Sequence, residues 1–92
     1  MKRVFILPSF KRSAKRLTPT HKVKLAESLE AFNSFLLTGE APVGFGFKKI
    51  DHDKYEFRVD IRLRVIVKVE ASDCYLVLVG SHDEIRKYLH RF

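Results

Sequence analysis

Two arginines and a histidine have side chains that could act together on a phosphate. Arg58 closes Lys-Tyr-Glu-Phe-Arg, Arg64 opens Arg-Val-Ile-Val across the short connection Asp60–Leu63, and His82 stands in Gly-Ser-His. Planar guanidinium groups offer paired donors that match phosphate oxygens. An imidazole, with an ordinary pKa of about 6.5, can give or take a proton near neutrality. Metal-free RNA cleavage needs a base for the 2′-hydroxyl, an acid for the leaving 5′-oxygen, and cations on the crowded phosphorane. Lys48 and Lys49 could orient the phosphate, and His52, in the turn Asp51-His52-Asp53, is a second candidate for proton transfer. The plainer alternative makes Arg58, Arg64 and Lys68 solvated sheet-face charges, His52 a turn residue and His82 a helix-capping residue.

The elements that must position these groups are legible from residue 54 onward. Tyr55, Phe57 and Val59 alternate with Lys54, Glu56, Arg58 and Asp60, and Val65, Val67 and Val69 alternate with Arg64, Ile66, Lys68 and Glu70. Period-2 alternation is the mark of a half-buried strand. If the first set in each strand faces the core, Arg58, Arg64 and Lys68 share the opposite face, beside Glu56 and Glu70. Cys74–Val79 is an unbroken apolar run, which predicts a central strand covered on both sides. The short connections Asp60–Leu63 and Ala71–Asp73 predict an antiparallel meander.

Upstream, Arg3–Leu7 reads as a short apolar strand ended by Pro8, and Ser9 as the N-cap of a helix over Phe10–Leu17. That helix turns Phe10, Ala14 and Leu17 inward and Lys11, Arg12, Lys15 and Arg16 outward. Thr18-Pro19 restarts a second helix with the stripe Leu25, Leu29, Phe32, Leu36, which Gly39 ends. Thr38–Gly46, with its glycines and Pro42, predicts a mobile loop, from which Phe45, Phe47 and Ile50 lead through Lys48 and Lys49 into a short strand. Ser81 can cap a C-terminal helix with Asp83 and Glu84 near its positive end and Arg86, Lys87, His90 and Arg91 near its negative end; Ile85, Tyr88 and Leu89 form its inward stripe. The order predicts an α+β fold: an N-terminal helical hairpin on one face of a four- to five-stranded, mainly antiparallel sheet, with a short C-terminal helix.

Composition narrows the class. The chain has 92 residues, 46% of them hydrophobic, which suits one domain over 1–92. One Cys and no Trp exclude a disulfide scaffold and a cysteine-based zinc site and fit a reducing cytosol; Cys74, mid-strand, reads as core. The histidines at 21, 52, 82 and 90 have no ligand-pair spacing, and the glycines at 39, 44 and 46 match no phosphate loop, so neither a metal nor a cofactor is expected. Met1–Phe10 is too short for a signal peptide, and no apolar run approaches the roughly 20 residues of a membrane span. Net charge is +7, and residues 1–24 carry Lys2, Arg3, Lys11, Arg12, Lys15, Arg16, Lys22 and Lys24 with no acid before Glu27. So one-sided a field attracts polyanions.

The order of elements, Tyr-Glu-Phe-Arg58-Val-Asp-Ile-Arg-Leu-Arg64-Val-Ile-Val and the closing Val-Gly-Ser-His82-Asp-Glu-Ile together resemble the RelE/ParE superfamily of type II toxins over nearly the whole chain, the Gly-Ser-His ending being similar to the YafQ-like and YoeB-like branches. The resemblance implies a cytoplasmic endoribonuclease that cleaves ribosome-bound mRNA and represses translation, and a cognate acidic antitoxin segment that wraps it. Arg58 and Arg64 match the family's phosphate-contacting arginines, and His82 matches the histidine that serves some branches as acid or base. Lys48, Lys49, His52, Lys68 and the helical Lys11, Arg12, Lys15 and Arg16 would then bind RNA. The sequence departs from the YoeB-like branch in two respects. The Gly44–Lys49 segment offers no counterpart of its carboxylate base, and Asp83 stands where an aromatic follows the final His. The alternatives are a gyrase-inhibiting ParE-like toxin or an inert RNA- or protein-binding relative of the same fold, and, more simply, a nucleic-acid-binding domain without turnover.

Overall fold

The computed structural model describes residues 3–90; Lys2 and Arg91, counted above among the charges, lie outside them. The elements run β1 (Arg3–Ile6), α1 (Pro8–Lys15), α2 (Pro19–Thr38), β2 (Lys48–Lys49), β3 (Lys54–Arg58), β4 (Leu63–Glu70), β5 (Asp73–Ser81) and α3 (His82–His90). They build one mixed sheet in the order β1-β5-β4-β3-β2. The expected meander is β3, β4 and β5, all antiparallel, while β1 joins β5 in parallel. Among the described residues no helix is long and apolar enough to cross a membrane.

Local chemistry accounts for the helix ends. Thr18 accepts the His21 backbone N–H at 3.2 Å to open α2, with Pro19 in the first turn. Gly39, at φ 78, closes α2 by donating its N–H to the Phe35 carbonyl at 2.8 Å. Ser81 and Glu84 form a reciprocal capping box at the start of α3: the Glu84 N–H reaches the Ser81 hydroxyl at 3.2 Å, and the Ser81 N–H reaches Glu84 Oε1 at 3.0 Å.

Ser9 does not cap α1. Leu7 is the N-cap, with no side-chain bond, and Pro8 starts the helix. The Ser9 hydroxyl instead donates to the Val77 carbonyl at 2.6 Å, and the Ser13 hydroxyl accepts the Val79 N–H at 3.1 Å. β1 stops pairing at Ile6, and Leu7 makes one last bond to the Leu76 carbonyl. Beyond it two serines of α1 satisfy the edge of β5 that β1 no longer reaches.

Strand parity assigns the core. Phe57, Val65, Val67, Cys74, Leu76 and Val79 face α1 and α2 and pack with Phe10, Leu25 and Phe32. The loop after α2 returns to this core. Phe45 is buried and stacks on Phe57 at 4.9 Å, and Phe47 lies 4.9 Å from Phe35 and 5.1 Å from Tyr55. The expectation of a mobile Thr38–Gly46 loop therefore gives way at Phe45, where two rings and the bond from Arg58 N–H to the Phe45 carbonyl, 2.7 Å, hold the chain.

α3 covers the other face. Ile66, Val77 and Ile85 form a second cluster, joined by Leu7, Ile50, Leu78, Tyr88 and Leu89. So the hairpin packs on one face as expected, and α3 makes the sheet a middle layer. Between Ile66 and Val67 the β4–β5 register shifts by one: Ile66 pairs with Leu78 and Val67 with Leu76, leaving Val77 as a bulge.

Candidate nucleic-acid site on the α3 face of the sheet

The β3–β4 turn is held by Asp60. Its carboxylate accepts the N–H groups of Arg62 and Leu63, each at 2.8 Å, which sets Arg58 directly opposite Arg64. Directly paired residues project to the same face, so the two guanidinium stems stand side by side. Arg64 in turn lies beside Gly80. His82, two residues on, is the exposed first residue of α3. Arg58, Arg64 and His82 therefore gather at one end of the sheet, with the arginines on the face that carries α3. Gly80 permits the approach of the helix, because a Cβ there would meet the Glu84 side chain at 3.2–3.3 Å.

One step along the strands lies a second row: Lys48 pairs with Glu56, and Glu56 with Ile66. Glu56 is 7% exposed, and its Oε2 accepts from Arg64 Nη1 at 3.2 Å. The alternation places Glu56 on the face of both arginines, as expected, but does not reveal its burial or its pairing with Arg64. The available signal was Ile66, an apolar residue directly across from it on the supposedly solvated side. Arg58 is exposed, and its guanidinium engages no partner among the described residues.

The structure separates the remaining candidates. Lys48 shares the face of Glu56, whereas Lys49 pairs with Tyr55 and projects to the side of α2. His52 is exposed in the Asp51–Asp53 turn, before β3 begins, and so at the opposite end of that strand from Arg58, more than about 13 Å away along the strand. Lys68 is on the α3 face but ion-paired, 3.5 Å from Glu70 and 4.0 Å from Asp53. Lys11, Arg12 and Lys15 are exposed on α1, and Arg16 at its C-cap; α1 packs on the other face of the sheet. Lys11 and Lys15, with Lys22, edge a cavity of about 440 Å³ floored by Ile6, Phe10 and Ala14. No three His, Cys, Asp or Glu side chains among the described residues gather as a metal-ligand set.

A second cavity, about 550 Å³, is shared between Arg58 and Asp60 on one side and Lys24, Glu27 and Ser28 of α2 on the other. Its floor is latched electrostatically: Asp60 Oδ2 lies 3.4 Å from His21 Nε2 and 3.6 Å from Lys24 Nζ. Burial pushes the Asp60 carboxyl up, but the N–H groups of Arg62 and Leu63 together with Lys24 and His21 outweigh it and hold it below its ordinary 3.8. At the far end of the sheet the Lys54 ammonium, bonded at 3.2 Å, likewise lowers Asp53.

No protein-family model and no curated protein sequence matches the chain. Solved structures do. A chain of the RelB-RelE antitoxin-toxin complex from Methanococcus jannaschii superposes with a TM-score of 0.68 at 14% identity, over 91% of this chain and 96% of that one. YafQ from E. coli gives 0.66 at 11% identity, over 92% and 98%. A chain of the YoeB-YefM complex from Staphylococcus aureus gives 0.63 at 14% identity, over 89% and 98%. The chain has the fold of the RelE, YafQ and YoeB toxins.

Proposed function

We propose that this protein is the toxin of a type II toxin-antitoxin system and that it cleaves ribosome-bound mRNA without a metal. The observation that carries the proposal is the directly opposed pair Arg58 and Arg64 at the end of the sheet where α3 begins with His82. Two guanidinium groups side by side suit the extra negative charge of a pentacoordinate phosphate. His82, exposed at the mouth of the same region, is the proton-transfer group. Lys48 extends the cationic row toward β2, and the basic face of α1 supplies a second surface for RNA. Solved proteins of this fold occur in complexes with their antitoxins, and a net charge of +7 suits an acidic partner segment that folds on binding.

One observation favours a non-catalytic binding protein of the same fold: no hydrogen bond or ion pair among the described residues orients the His82 imidazole. Expression in a host cell separates the two readings. Arg58→Ala and Arg64→Ala should each abolish growth arrest and transcript cleavage while the purified variants keep the parent's circular dichroism. Arrest as strong as the parent's in both variants would remove the nuclease reading, and a DNA-damage response without cleavage would replace it with a gyrase-directed one.

A further inference from the structure

We propose that Glu56 is the base that removes the 2′-hydroxyl proton, and that its ion pair with Arg64 couples this proton transfer to charge stabilisation. The inference rests on the nuclease reading above and supplies a second proton-transfer group in place of His52, which lies at the opposite end of β3 from Arg58. Glu56 projects to the same face as Arg58, two residues along β3, and touches Arg64 at 3.2 Å through Oε2 only. Oε1 has no partner among the described residues, yet it is not sealed from solvent. One oxygen is thus committed to an arginine and the other is open to a ligand, on a side chain otherwise withdrawn from water. A bidentate pair would have engaged both oxygens on the guanidinium; the single contact leaves Oε1 available for a proton.

The step balances within the chain. The O2′–H bond breaks and its proton passes to Glu56 Oε1. The O2′–P bond forms as the P–O5′ bond breaks, and the His82 imidazolium gives its proton to O5′, leaving a 2′,3′-cyclic phosphate and a 5′-hydroxyl. As Glu56 becomes neutral it loses its hold on Arg64. The guanidinium charge is then uncompensated at the moment the phosphorane gains charge, and it is already beside Arg58. The charged and titratable groups that share this face with Glu56 are Lys48 on β2, Lys54 and Arg58 on its own strand, and Arg64 and Lys68 on β4; from α3, Glu84 packs by Gly80, the partner of Arg64, and Tyr88 packs with Ile66, the partner of Glu56.

The experiment measures single-turnover cleavage of a defined transcript on programmed ribosomes as a function of pH, using the full-length protein and its Glu56→Gln, Glu56→Asp and Arg64→Ala variants. Glu56→Gln keeps an acceptor for Arg64 but cannot take a proton. It should slow cleavage by about 100-fold or more and erase the acid limb of the pH–rate profile, with ribosome binding unchanged. Glu56→Asp, which also serves if the glutamine variant fails to fold, should restore part of the rate together with the limb. A Glu56→Gln rate within a few-fold of the parent overturns the assignment, as does a slow variant whose acid limb persists, because that pattern marks a residue that only positions Arg64. If Arg64→Ala is inactive and Glu56→Gln is not, the base assignment alone fails. If the parent itself does not cleave, both readings fail together.

Discussion

On the side of the sheet covered by α1 and α2, β3 and β4 present Tyr55, Phe57, Val65 and Val67, and six aromatic rings from α2, the following loop and β3 interlock there. On the side covered by α3 the same two strands present Lys54, Glu56, Arg58, Arg64 and Lys68, with Ile66 as the one apolar member between Leu63 and Glu70. The two sides differ by a one-residue step along the backbone. Stability is concentrated on the first, and on the second a short α3 covers Ile66 while leaving the arginines at its margin. Charge can accumulate on one side because the other supplies the burial, a division that period-2 geometry makes available to any half-polar strand.

The most severe way to break the contrast is to remove a ring from the packed side. Phe57 is fully buried and stacks on Phe32 and Phe45, each at 4.9 Å. Phe57→Ala should cost about 3–5 kcal/mol in denaturant unfolding, and because Phe45 accepts the Arg58 N–H it should also loosen the loop after α2. A smaller loss sharpens the comparison within the charged side. Arg64→Ala strands the Glu56 carboxylate, whose side chain is 9% exposed, and should cost about 1–3 kcal/mol. Arg58→Ala strands nothing and should stay within about 0.5 kcal/mol of the parent. Equal stabilities would mean that the Glu56–Arg64 pair is not a structural element of this face.

The smallest effect concerns the latch that ties the β3–β4 turn to α2. The folded Asp60 carboxyl lies below its ordinary 3.8, so its stabilising contribution is complete above that value and fades as pH falls through the lower folded one. Asp60→Asn should therefore be less stable than the parent by up to about 1 kcal/mol at about pH 6, and the difference should vanish in acid below the folded value. A gap that is independent of pH would assign the latch to shape rather than to charge.

Much of this was legible in the chain. The alternation in Lys54–Arg58 and Leu63–Glu70 gave both strands their faces, and the short turn between them dictated that Arg58 and Arg64 project together. Thr18, Gly39 and Ser81 marked helix ends because their capping chemistry is local. What escaped notice depended on neighbours distant in sequence. Ser9 has the right residue type for a cap, but Pro8 already starts the helix and the open edge of β5 competes for the hydroxyl. The glycines of residues 39–46 signalled freedom, while Phe45 and Phe47 cancel it by reaching the core. The stripe on α3 showed that it packs, though not against which face. The continuous apolar run Cys74–Val79 held that answer, since a strand covered on both sides requires a layer beyond α1 and α2. His21, in the first turn of α2, meets Asp60 only because the α1–α2 and β3–β4 turns lie at the same end of the fold.

Val77 carries a consequence out of proportion to its size. As the surplus residue in β5 it puts two successive side chains, Val77 and Leu78, toward α3, which an all-apolar run accepts without exposing a polar group. Every position after it is thereby switched in phase. Counted straight through from Cys74, Gly80 would fall under α2, and the chain would depart from the sheet with its last helix on the aromatic side. The one added residue brings Gly80 alongside Arg64 and lets the polypeptide leave the sheet on the charged side, with His82 opening the helix that follows.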